Sequence, residues 1–415
     1  MLSGDRISRR EKRNKVQLMT IFFWIAFFLS IGLRTARETV LSAYIPQLVF
    51  SMGIIVSSTL ILIKVLLFDR MNHRQLFFMV AIFFTTFIVS QISKTQSLFA
   101  NMLLILGCLD IPFKKIIRNY VYLTAVILII AYLTTIIGLT KNYEIASADG
   151  IKYAMGGNYP TDFAAHIFYL LCAYVYMRAT KLRLLDVGPL IIGLLLVGFF
   201  TKTQADTIAI FLLLIFVVIY TLRKWLMKNR YVKQICMTAV GWSFTLPGVF
   251  AVIIYWLTAT FNYGDKTFIW LNQLLTNRLN FGSQAFDVYG VKLFGQPVLQ
   301  NGWGGARTGL INSGLGNLTY FYIDSSYISM LIIYGFFFTA LVLCGLMIHL
   351  YVRLKDSDIL YALIWIPILL VSVVDQHLLE VQYNIFLLGI FAYFEQSMCY
   401  VSVVPRIKIN DLRHW

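Results

Sequence analysis

Residues 258–322 read TATFNYGDKTFIWLNQLLTNRLNFGSQAFDVYGVKLFGQPVLQNGWGGARTGLINSGLGNLTYFY, and they divide the chain into apolar and polar territory. The stretch mixes glycine turns, aromatic residues and isolated cations, with no apolar run of membrane length. Connections longer than about 12 to 15 residues are usually functional or disordered. Its aromatic content and low net charge argue against disorder, so a folded external segment carrying a site is expected. On either side, apolar runs near the length demanded by a hydrocarbon core of about 30 Å recur at 18–33, 40–63, 76–92, 98–109, 120–139, 163–177, 184–200, 207–222, 235–257, 325–351, 359–374 and 383–403. The run at 98–109 is short.

The expected fold is an all-α polytopic integral membrane protein of about 12 transmembrane helices, with one long external loop between helices 9 and 10. The chain divides into a basic tail (1–17), helices 1–9 (18–257), the loop (258–322), helices 10–12 (323–403) and a second tail (404–415). Composition agrees: 59% of the 415 residues are hydrophobic and only 13% charged, at a mean hydropathy of +0.75. A water-soluble surface needs more charge than that.

Most of the 35 Lys and Arg residues fall in alternate connectors: Arg6 to Lys15, Arg70 and Arg74, Lys114 to Arg118, Arg178 to Arg183, Arg223 to Lys233, Arg353 and Lys355, and Arg406 to Arg413. The positive-inside rule puts these connectors and both termini in the cytoplasm. The net charge of +16 is then a topology signal and an attraction to anionic membrane lipids, not a nucleic-acid footprint. The five cysteines have no ligand-like spacing and suggest neither a disulfide framework nor a metal site. No small-residue cleavage site follows the first apolar run, so it reads as a retained helix.

Chemistry-bearing residues gather at the outer connectors. Arg34, Arg37 and Glu38 follow the first run, where they pair with one another or lipid phosphate, or touch an anionic substrate. The stretch GGNYPTD (156–162) places turn glycines and a proline before helix 6, with His166 one turn below Asp162. Lys202 and Asp206 stand at the outer edge between helices 7 and 8, as a salt bridge or a phosphate-binding pair. In the long loop, Ile269, Leu271, Leu274, Leu275 and Leu279 have helical spacing, as for an amphipathic helix on the membrane interface with Arg278 at its polar edge. Lys292 and Arg307 are its other downstream cations, and Asp324 and Ser325 are placed to cap helix 10. In DQHLLEVQYN (375–384), Asp375, His377 and Glu380 stand close together beside an apolar bilayer. On the inner side, FDRMNHR (68–74) overlaps the Asp-Arg turn of major-facilitator transporters, but Val65 and Asn72 stand where that motif has glycines.

The runs NRLNFGSQAFDVYGVKLFGQ (277–296), YIDSSYISMLIIYG (322–335) and YNIFLL (383–388) resemble the Wzy-type polymerases of bacterial capsule, exopolysaccharide and O-antigen loci. Related enzymes often have Ser-Arg after helix 7, where this chain has Lys202 to Gln204. The resemblance implies a glycosyltransferase of the bacterial cytoplasmic membrane that uses lipid-linked oligosaccharide substrates. It would transfer a glycan from undecaprenyl pyrophosphate to a new lipid-linked repeat unit. Arg278 would stabilise the leaving diphosphate, and His377, Glu380 and Asp324, in that order, are candidates for the general base. Lys202, Lys292, Arg307, Tyr289, Asp206 and Asn384 would contact substrate. No cofactor or metal is implied; a flippase and a chain-length regulator are the implied protein partners. An O-antigen-ligase-like transferase and a flippase or secondary transporter are the alternatives, the latter needing charge deep within its spans and related halves.

Overall fold

A computed structural model describes residues 2–300 and 321–394, except 70, 148, 149 and 227. Among the described residues, eight helices are long and apolar enough to cross a membrane, and the protein is a multi-pass membrane protein. These include α1 (Leu2–Arg37), α2 (Gln47–Leu67), α3 (His73–Ser93) and α5 (Phe113–Ile136). The short run becomes α4, Gln96–Leu106, which at 1.5 Å per residue is only about 16 Å long. α6 (Pro160–Met177) follows. α7 (Leu184–Thr201) ends in a π-helical turn, and α8 (Gln204–Thr221) begins directly after it. α9 (Arg230–Ala259) is a long span interrupted at Ser243–Thr245.

The external loop is partly helical, as expected, but the amphipathic stretch is two helices instead of one. Thr276 and Asn277 both take positive φ, 50° and 66°, separating α10 (Lys266–Leu274) from α11 (Arg278–Tyr289). Arg278 therefore opens a new helix and is not the polar edge of an interfacial one. Leu279 beside it is fully buried. Downstream, residues 292–296 are stitched onto α12 (Ser326–Lys355), with Phe336 N donating to Lys292 O and Gln296 N to Ile333 O, both at 3.0 Å. Gly295 and Gly335 meet backbone to backbone there, with φ of 85° and 87°. A Cβ on either would collide with the other segment's main chain.

The largest departure from expectation follows α13 (Ile359–Val371). The run at 383–403 was expected to be a twelfth helix, but in its described part, to Phe394, the chain forms only a 3₁₀ segment, Ile385–Ile390. It still traverses the bundle: Tyr393 pairs with Ile111 and Phe113 through backbone hydrogen bonds of 2.9 and 2.8 Å, beside the basic residues Lys114 and Lys115. Irregular backbone survives at membrane depth only when buried in protein with its polar groups satisfied, and both conditions hold. Tyr383 and Ile385 to Leu388 are almost wholly buried. Tyr120 Oη donates to the carbonyls of Gln382 and Tyr383 (3.1 and 2.9 Å), and Tyr361 Oη donates to Phe386 O (3.1 Å).

The bundle thus has two chemically distinct ends. One holds the cation-rich connectors, among them Lys64–Asp69, Arg178–Asp186 and Arg353–Asp356. The other holds the connectors after α1, α5, α7, α9 and α13. At that end a small β-hairpin, Glu144–Ser147 with Gly150–Tyr153, decorates the α5–α6 connection.

Candidate functional site

The site is built where the connectors of the second end converge. The α5–α6 loop is sewn to the end of α1: Val40 N donates to Gly156 O and Asn158 N to Glu38 O, both at 3.0 Å. Gly156 permits this with φ of 93°, its absent side chain leaving room for the Ala131 backbone. Glu38 and Asp162 are thereby brought to the same neighbourhood, both facing Glu380 and His377.

His377 lies at the centre. Its Nδ1 is 2.6 Å from Glu380 Oε2 and its Nε2 is 3.3 Å from Asp375 Oδ1. Its ring stacks on Tyr383 at 3.7 Å between centroids, and His166 stacks on the same tyrosine at 4.0 Å. Burial pulls the imidazolium down, but the carboxylates of Asp375 and Glu380 outweigh it and hold the His377 pKa up at about 10. The imidazole is therefore a cation at neutral pH, tying two acidic side chains together. Burial also raises Asp375, against the pull of His377.

Arg278 closes the opposite side. The left-handed pair Thr276–Asn277 turns the chain inward, and Asn272 supports the turn by donating to Asn277 Oδ1 at 3.0 Å and accepting from Asn280 N at 3.0 Å. The Arg278 guanidinium then reaches Asp324 at 3.0 Å and donates from Nε to Val374 O at 3.2 Å, one residue before Asp375. Burial pushes Asp324 up to about 6, with Arg278 opposing. Burial, with Glu380 nearby, pushes Glu38 up to about 7 against His377, Arg37 and Arg34.

The expected catalytic residues Arg278, Asp324, His377 and Glu380 thus form one cluster. Asp206, at the start of α8, is buried and faces Asp375 and His377. The other substrate-contact expectations fare differently. Asn384 is fully buried, and its amide donates to Leu378 O at 2.9 Å, a backbone-holding role inside the protein. Lys202 caps the π turn in a left-handed conformation, its Nζ against Gly150 of the hairpin. Lys292 is exposed where the loop joins α12, and Tyr289 stacks near Phe321 at 6.1 Å. Arg307 lies outside the described residues.

Arg34 is the residue whose depth the sequence left unread. It is 6% exposed, its Nη1 donates to Asn101 Oδ1, and its Nε and Nη2 have no hydrogen-bond partner. Asn101 in turn donates to Leu379 O at 3.0 Å, linking α1 and α4 to the segment that carries Glu380. The only available signal was the pair of cations on an outer connector, against the topology bias.

No protein-family model, curated protein or solved structure matches this chain. Among the described residues no three His, Cys, Asp or Glu side chains converge as a metal-holding group. What converges is a carboxylate, Glu380, oriented by a charged imidazole, with guanidinium groups on either side.

Proposed function

We propose that the protein is a glycan polymerase of the Wzy type that joins polyprenyl-diphosphate-linked repeat units at the outer face of a bacterial cytoplasmic membrane. The observation that carries this reading is the joining of the Arg278–Asp324 pair, through Val374 O, to the segment that holds Asp375, His377 and Glu380, about a hundred residues beyond Arg278, at the end of an apolar bundle opposite its basic connectors. By the positive-inside rule that end faces outward. Substrates with polyprenyl tails need a site there, within reach of the bilayer.

In this reading the acceptor hydroxyl oxygen attacks the anomeric carbon of the donor glycan. The bond from that carbon to the diphosphate oxygen breaks, and the electron pair leaves with the polyprenyl diphosphate. The hydroxyl proton passes to a general base. Glu380 takes this role ahead of His377, because His377 is already protonated and its proton holds Glu380 in place. Arg278 stabilises the charge developing on the leaving diphosphate, a task suited to a planar guanidinium.

Membranes supplied with lipid-linked repeat unit test the proposal. The native chain should yield a ladder of products, and Arg278→Ala at equal abundance should reduce ladder formation by about 100-fold or more. A ladder unchanged by the substitution overturns the role of Arg278. If the native chain alters only the sidedness of single repeats, the protein is a flippase; transfer to a different acceptor makes it a ligase.

A further inference from the structure

Beside the ionic cluster lies a cavity of about 200 Å³ whose chemistry is of another kind. Its walls come from the α3–α4 turn, from Asn101, from the start of α12 and from the connector after α13. Among the described residues lining it, Glu380 is the one that carries charge; the polar remainder is hydroxyl and amide. The short α4 and the π turn at Met330–Tyr334 supply much of the wall.

One of these groups is placed to meet a ligand. Gln376 accepts from Tyr322 Oη at 2.6 Å, which fixes its side chain and leaves its amide N–H groups available. Tyr322 and Tyr334 add aromatic faces.

This lining discriminates among ligand classes. A diphosphate needs cations or several strong donors, and among the described residues no Lys or Arg lines the cavity. A lipid tail would leave the hydroxyls and amides buried and unsatisfied. A pyranose ring combines hydroxyls with an apolar face, matching both the Ser, Asn and Gln side chains and the tyrosines. A sugar acid would add a carboxylate beside Glu380, whose His377 partner at 2.6 Å is already shared with Asp375, and would meet no Lys or Arg among the described residues of the wall.

We propose that this cavity is the acceptor-sugar subsite, that it takes an uncharged pyranose with one hydroxyl presented to Glu380, and that it rejects uronic acids. The word acceptor rests on the polymerase reading; binding of an uncharged sugar does not. The diphosphates of the two lipid-linked substrates are then held outside the cavity, by the guanidinium groups around the cluster.

The test uses the full chain in lipid nanodiscs and saturation-transfer NMR. The probes are methyl glycosides of glucose, galactose and N-acetylglucosamine, with methyl glucuronide as the charged counterpart. At least one neutral glycoside should show saturation transfer, and the glucuronide should bind about tenfold more weakly or worse, a difference of about 1.4 kcal/mol. Ser97→Trp, at an exposed position on the cavity rim, should abolish the neutral signal without changing the melting temperature. Glu380→Gln should bring the glucuronide to within about twofold of the neutral sugar. The proposal is overturned if no neutral glycoside binds, if binding survives Ser97→Trp, or if the native chain binds the glucuronide equally well. Should Glu380→Gln fail to fold, the Ser97→Trp comparison still decides. A missing product ladder with occludable glycoside binding counts against the polymerase alone; a ladder without such binding counts against this subsite alone.

Discussion

The two ends of the bundle handle charge in opposite ways. At the basic end three ion pairs are matched one to one, and the deepest of them is closed off from solvent. Lys64 and Asp69 are fully buried against each other at 2.7 Å, with the remaining donor capacity of Lys64 directed to Leu109 O at 2.7 Å. Arg353 reaches Asp356 at 2.6 Å and Arg178 reaches Asp186 at 3.0 Å. At the other end partners are shared: one imidazole serves both Asp375 and Glu380 and also faces Asp162 and Asp206, while Glu38 faces it together with Arg37 and Arg34. Closed pairs of the first kind support a fold, whereas crowded, perturbed groups of the second kind mark sites where charge changes during turnover.

Substitutions at each end can break this contrast. The largest effect is expected for Glu380→Gln, which keeps the shape but removes the proton acceptor: kcat should fall by 10²–10⁴-fold with little change in KM, as is typical for loss of a general base. A fall in KM-linked binding alone, read from initial rates on lipid-linked repeat unit, would move the base elsewhere. Lys64→Met, at the basic end, should act on stability. Stranding Asp69 in the interior should cost about 3–5 kcal/mol, seen as a lower unfolding midpoint in detergent with kcat per folded molecule unchanged. Lys64→Met with Asp69→Leu should regain most of the loss. If the double variant remains as unstable as the single one, Lys64 acts through Leu109 and not through its ion pair.

The smallest effect is in pH dependence. The folded pKa of His377, about 10, lies above the ordinary value of 6.5. Its stabilising contribution is therefore complete below about pH 6.5 and is lost progressively as pH rises toward 10. Thermal unfolding in detergent should show the midpoint declining by several degrees across that interval, and His377→Gln should flatten the decline. A slope that is identical in the variant would assign the dependence to other groups.

Much of the helical frame was legible because a bilayer imposes one length and one polarity on any helix that crosses it. The runs at 18–33, 40–63, 76–92 and 120–139 needed only hydropathy to be read, and even the shortness of α4 was visible. The cluster was half legible. Asp375, His377 and Glu380 stand close together in sequence, so their density announced itself; Arg278 and Asp324 were visible as a helix-edge cation and a helix cap, and only their catalytic roles came from the resemblance. Arg34, Asp162 and His166 were noticed singly, but no local pattern says that the turns carrying them meet. The break at Thr276–Asn277 was hidden because the apolar spacing from Ile269 to Leu279 runs straight through it.

Sequence alone determined that this chain lives in a membrane, which connectors carry its basic residues, and where the long polar excursion lies, because those properties are sums over local residues. Only the tertiary structure decided that residues 383–394 cross the bundle without an α-helix. Their composition suits a helix, but the hydroxyl groups of Tyr120 and Tyr361 satisfy the carbonyls of Tyr383 and Phe386, which a helix would otherwise have satisfied itself. Those donors are far away along the chain or pointed by packing, and no local pattern contains them. The same packing holds His377 between its two carboxylates, Asp375 and Glu380, which keeps its imidazole charged.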